Sequence, residues 1–212
     1  SNSMKIVFTT DMKQIEFTND DFSYHHYKPS KFFQPKLYTK IFTNLISSKP
    51  ILFVSSNASV GCRACFAAFS MLHPLRYSEK FILWLRKDDP RYIEILNETE
   101  KSKYMVVATD DSSEIESKFD LVFPIEEVYK TNEKVDEDFE IFTKKIFLMI
   151  QSEFINLANK NPYSDVLNLP WTGKNMIDIV NDPNFGFMPK MDALKAFEKS
   201  NTVKLWRLKR NN

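Results

Sequence analysis

Residues 51–77 read Ile51-Leu-Phe-Val-Ser-Ser-Asn-Ala-Ser-Val-Gly-Cys62-Arg-Ala-Cys65-Phe-Ala-Ala-Phe-Ser-Met-Leu-His73-Pro-Leu-Arg-Tyr77, and this stretch decides the fold. The four residues Ile51 to Val54 are apolar without alternation, the pattern of a short strand buried on both faces. Ser55 to Ser59 form a polar turn that supplies N-caps. A helix then runs from about Ser59 to His73, where Pro74 stops it. That helix is apolar nearly all round: Val60, Cys62, Ala64, Cys65, Phe66, Ala67, Ala68, Phe69, Met71 and Leu72 stand against only Arg63, Ser70 and His73. A helix of this kind is buried between layers.

Both cysteines of the chain lie in it, spaced Cys62-x-x-Cys65. A thioredoxin-like redox motif sits at such a place, after a strand and near a helix N-terminus, where the dipole lowers a thiol pKa. The surroundings oppose that reading. With Ser59 as cap, Cys62 is already the third helical residue and Cys65 lies a turn deeper. The intervening Arg63 and Ala64 include no Pro to sharpen the turn. Cys62 and Cys65 therefore read as small core hydrophobes, with redox chemistry as the alternative. A zinc site would need four ligands, and the only histidines are His25, His26 and His73. Adjacent His25 and His26 point opposite ways on an extended segment and do not converge.

Working outward, Pro35 opens a helix with Leu37, Ile41, Leu45 and Ile46 on one face, ended by Lys49-Pro50. Strands are expected at Lys80 to Leu85, Tyr104 to Ala108 and Asp120 to Ile125. The last is placed at an edge because Pro124 cannot donate to a ladder. Arg91 to Leu96 is a short helix or an edge segment, and Asp110 to Ser113 caps a short turn of helix around Ile115. Before this block, Lys5 to Thr10 and Gln14 to Thr18 suggest a marginal hairpin, and residues 19–34 a loop packed by its rings.

Alternating helix and apolar strand predict an α/β fold with a mostly parallel sheet flanked by helices over residues 4–130. Residues 131–212 read as a helical C-terminal subdomain. Thr131 to Asp136 is a polar linker, and a long helix from Asp136 to Asn159 carries acids in its first turn and the stripe Phe139, Phe142, Ile146, Met149/Ile150 and Leu157. Shorter helices follow near 174–180, 191–199 and 200–210.

Composition narrows function mainly by exclusion. With 29 basic and 28 acidic residues the net charge is +1, so nothing general favours nucleic acid or an anionic membrane as partner. No apolar run approaches the ~18 residues of a bilayer span. Ser1-Asn2-Ser3 before Met4 looks like an expression scar, and two close cysteines suit a reducing, cytoplasmic setting. Only Gly61, Gly173 and Gly186 occur, which argues against a Gly-rich phosphate cradle, and no cofactor or metal is expected. Asp88-Asp89 and Asp110-Asp111 follow strands, where α/β sheets place ligands, yet such pairs are also turn and cap chemistry. The basic amphipathic tail Lys204 to Arg210 docks by Leu205, Trp206 and Leu208, with a membrane surface as its alternative. So thin a catalytic inventory favours a binding or regulatory module over a substrate-converting enzyme.

Residues 33–86 resemble the central segment of DENN domains. In that family a helix leads to a strand of the form Ile-Leu-Phe-Val-Ser, then to a buried helix ending in Leu-x-Pro and an aromatic or basic residue, then to a second strand. Here these are Phe33 to Pro50, Ile51 to Ser56, Ser59 to Tyr77 with the Leu72-His-Pro-Leu-Arg-Tyr77 exit, and Phe81 to Leu85. Trp84-Leu85-Arg86 stands where the common pattern has a Pro-rich end. That departure, the short segment from Lys87 to Thr99, the long helix after 136 and Asn201-Thr-Val-Lys-Leu-Trp206 are similar to the folliculin type of DENN module.

The resemblance implies a regulator of small GTPases in membrane traffic or nutrient signalling, most often a guanine nucleotide exchange factor for Rab proteins. The alternative it implies is a non-catalytic scaffold that pairs with another DENN or longin-containing protein. It implies a cytoplasmic protein, at most peripheral on endolysosomal membranes. The family's longin-like half has no counterpart in the ~30 residues before the first helix, so the chain is expected to be a fragment or a shortened member. The activating arginine of folliculin-type proteins belongs to that half, and no catalytic residue is carried over. Arg76, Tyr77, Arg86, Lys87 and Asp88 border the central strands and are the expected GTPase contacts; for each the plainer reading is a solvated loop charge or a packed ring.

Overall fold

A computed structural model describes residues 7–10, 13–16, 27–73, 77–126, 131–144 and 200. Its centre is a four-stranded sheet built from β3 (Ile51–Val54), β4 (Phe81–Leu85), β5 (Val106–Thr109) and β6 (Leu121–Pro124). Every pairing is parallel and the spatial order is β4-β5-β3-β6. β3 lies inside, with Ile51 opposite both Val106 and Leu121 and Val54 opposite both Thr109 and Pro124. The expected α/β architecture with a parallel sheet is thus present. A separate antiparallel hairpin joins β1 (Val7–Thr10) to β2 (Lys13–Glu16), pairing Val7 with Glu16 and Thr10 with Lys13.

Alternation along the inner strands divides the core in two. Ile51, Phe53, Val106, Ala108, Leu121 and Phe123 face one layer, made by α1 (Pro35–Ile46) and α2 (Ala58–Ser70). Leu52, Val107 and Ile82 face the other, made by Tyr92 and Ile95 of α3 (Pro90–Asn97) with Ile115 and Phe119. Both faces are covered, as an all-parallel sheet requires, and this explains why the strands read as unbroken apolar runs.

The edge strands differ from the interior ones in physically legible ways. On β6, Ile125 N donates to Val54 O, so residues 121, 123 and 125 aim their amides at β3. Pro124 therefore falls at an outward position, where its missing N–H breaks no ladder bond. β4 carries a bulge: three steps from Ile82 to Leu85 match two from Val107 to Thr109. The extra residue puts both Leu83 and Trp84 on the α1/α2 side.

Element ends shift from expectation for local reasons. α2 begins at Ala58 rather than Ser59, because the Asn57 side chain is the cap and accepts from Ser59 N (2.9 Å) and Val60 N (3.3 Å). Arg91 to Leu96 resolves as helix, with Asp89 as N-cap and Pro90 at its first position. Residues 133–144 form a further helix, α4. It starts before Asp136 because Asn132 Oδ1 accepts from Val135 N at 3.3 Å. Phe139 and Phe142 of α4 join the α1/α2 core, and their rings meet Phe42 at 5.7 and 6.2 Å. The helices expected near 174–180, 191–199 and 200–210, the remainder of the long helix, His25, His26 and the basic tail lie outside the described residues.

Candidate functional site

Strands that run parallel bring their C-terminal ends to one edge of the sheet. Here that edge gathers Ser55 after β3, Arg86-Lys87-Asp88 after β4, and Asp110-Asp111 after β5. The chain leaving β3 crosses to the α2 face, and the chain leaving β5 crosses to the α3 face. Between such diverging strands α/β folds open a crevice. In this protein the crevice floor is closed by its own hydrogen bonds. Ser55 N donates to Thr109 O at 2.9 Å. Thr109 Oγ1 donates to Leu85 O at 2.8 Å and accepts from Asp111 N at 3.2 Å.

The rim is charged and paired. Arg86 Nε lies 3.1 Å from Asp88 Oδ1, with both side chains about two-thirds exposed. Lys87 bonds the Glu114 carboxylate and lies 3.6 Å from Asp111 Oδ2. Its bond to Glu114 raises the Lys87 pKa above the ordinary lysine range. Asp111 serves its own turn, accepting Ser113 N at 3.0 Å and Ser113 Oγ at 2.7 Å, which holds its carboxyl below the usual range. Asp89 accepts Arg91 N at 2.9 Å and grips the Arg91 guanidinium, which pushes its pKa down to about 2. Asp89 and Asp111 therefore act as cap and turn residues here, as their sequence context allows. Among the described residues no group of three His, Cys, Asp or Glu side chains is arranged to hold a metal ion.

The five expected contact residues do not form one patch. Arg86, Lys87 and Asp88 lie together on the exposed C-terminal rim. Tyr77 precedes β4 and so lies toward the opposite end of that strand. Its ring stacks on Phe69 at 4.6 Å and 15°, and burial pushes its phenol pKa well up. Tyr77 is a packed ring whose hydroxyl has no hydrogen-bond partner among the described residues. Beside it Phe81 is 42% exposed. Arg76 lies outside the described residues.

Cys65 is fully buried, while Cys62 is only half-buried. Burial raises both thiols, Cys65 the more. A redox-active cysteine needs the opposite shift. Cys62 also has a specific partner, since its Sγ lies 3.4 Å from Leu83 O, a carbonyl at the β4 bulge.

A buried acid escaped the sequence reading. Asp136, placed there at the end of a polar linker and in the acid-bearing first turn of a helix, is 4% exposed. It accepts from Ser30 N (3.0 Å), Ser30 Oγ (2.6 Å) and Tyr38 OH (2.5 Å). The bond joins α4 to α1 and to the 3-10 turn Pro29–Lys31. Burial raises the Asp136 carboxyl against the lowering effect of those donors. Only the donors of Ser30 and Tyr38, about 100 positions upstream, make the site, and no local spacing signals that.

No family model matches the sequence, and no curated protein matches it significantly. No helix among the described residues is long and apolar enough to cross a membrane.

Proposed function

We propose that the chain is a DENN-type module that binds a small GTPase and regulates its nucleotide state. The observation that supports this reading is the packing order of residues 33–86. α1 leads to the central strand β3, β3 to the buried helix α2, and α2 to β4, whose exit presents Arg86, Lys87 and Asp88 at an exposed rim. This is the order that the resemblance to the central DENN segment requires. A GTPase regulator of the exchange type forms no covalent bond. It works by binding one state of its partner more tightly than another, so a contact surface without a catalytic constellation suffices.

In this reading Arg86, Lys87 and Asp88 meet the GTPase. Arg76 stands next to Tyr77 in sequence, and Tyr77 holds the start of β4 rather than touching the partner. The setting is cytoplasmic, with at most peripheral attachment to endolysosomal membranes. The test is nucleotide release from a panel of Rab, Arf and Rag-type GTPases loaded with fluorescent nucleotide. Faster release from at least one member is expected. Unchanged release and no complex across the panel removes the exchange reading.

A second reading draws on a different observation. Ile93 and Leu96 of α3 are 58% and 36% exposed, an apolar pair on an outer helix. Such surface suits a scaffold that pairs with another DENN or longin-containing protein. Stable association with such a protein, without any effect on a GTPase, favours the scaffold.

A further inference from the structure

We draw no further inference here: the strongest candidate, the cluster of Lys87, Asp111 and Glu114 beside Tyr92 at the C-terminal edge of the sheet, is closed by its own ion pairs and belongs to the contact rim already described.

Discussion

Gly61 and Trp84 touch so closely that a Cβ on Gly61 would lie 2.8 Å from Trp84 Cζ3 and 3.2 Å from the Ala108 Cβ. The contact fixes how near α2 lies to the sheet. It depends on the β4 bulge, which turns Trp84 onto the α2 side. One residue earlier the same bulge sets the Leu83 carbonyl within reach of the Cys62 thiol. Gly61, Cys62, Leu83 and Trp84 are thus one packing unit at the margin of the sheet.

Gly61→Ala tests that unit. In an open helix the change would stabilise by up to about 1 kcal/mol. Here the added methyl meets a ring and a neighbouring methyl, and overpacking costs roughly 1–3 kcal/mol. The variant is expected to unfold at lower urea concentration with an unchanged m-value. Trp84→Leu in the same background should recover part of the loss. Equal or higher stability of the single variant would mean that α2 does not sit this close.

Asp136→Ala leaves Ser30 N, Ser30 Oγ and Tyr38 OH without their acceptor, and a stranded buried polar group costs about 1–3 kcal/mol. The loss should appear in thermal unfolding, with hydrogen exchange accelerating in residues 133–144 before the sheet.

The same carboxyl carries a pH signature. Its folded pKa is raised by burial above the ordinary aspartate value of about 4. Over the interval between those two values the folded state binds more protons than the unfolded one, so this group's contribution falls as pH rises. It is fully present below the unfolded pKa and is lost as pH rises through the folded pKa. Asp136→Asn removes the titration. The stability advantage of the wild type over Asp136→Asn is therefore expected to be larger near about pH 4 than near about pH 7. The reverse trend would show that the donors on Ser30 and Tyr38 outweigh desolvation. Lys28 also acts on this carboxyl and pairs with Glu133, so repeating the measurement in Lys28→Ala separates its contribution.

Thiol reactivity distinguishes core from chemistry at Cys62 and Cys65. With both thiols raised by burial, titration with a disulfide reagent at neutral pH should be slow, Cys62 reacting before Cys65. Denaturant should expose both at once. Two fast thiols in the native protein would contradict the core assignment.

Much of this architecture was legible in the residues because its signals are local. Ile51 to Val54 is apolar at every position and only four residues long between polar segments, the pattern of a strand covered on both faces. Pro124 announced an edge, since a missing donor is tolerated only there. Other features depend on what lies across space. The bulge at Leu83 and Trp84 arises from pairing with β5, and nothing within Phe81 to Leu85 marks it. Ser55 to Ser59 offers several residues able to cap, and only the backbone path selects Asn57. Asp136 looks like a solvated first-turn acid until Ser30 and Tyr38 are brought against it. The contact residues divided for a related reason: adjacency to the same strand does not place residues at the same end of it, so Tyr77 and Lys87 are apart.

The exposed rim should matter to binding and little to folding. Arg86, Lys87 and Asp88 form exposed surface pairs, which water and salt screen so that they add little to stability. Arg86→Glu with Lys87→Glu is expected to leave the unfolding midpoint nearly unchanged while lowering association with a responsive GTPase. Undiminished association would move the contact surface elsewhere.

The most direct measurement compares the affinity of the chain for each GTPase of the panel in its nucleotide-free and GTP-loaded forms. A state-selective regulator of the exchange type binds the nucleotide-free form of at least one member more tightly by about tenfold or more, equivalent to roughly 1.4 kcal/mol. Equal affinities for the two forms, or no binding to any member, would contradict the account.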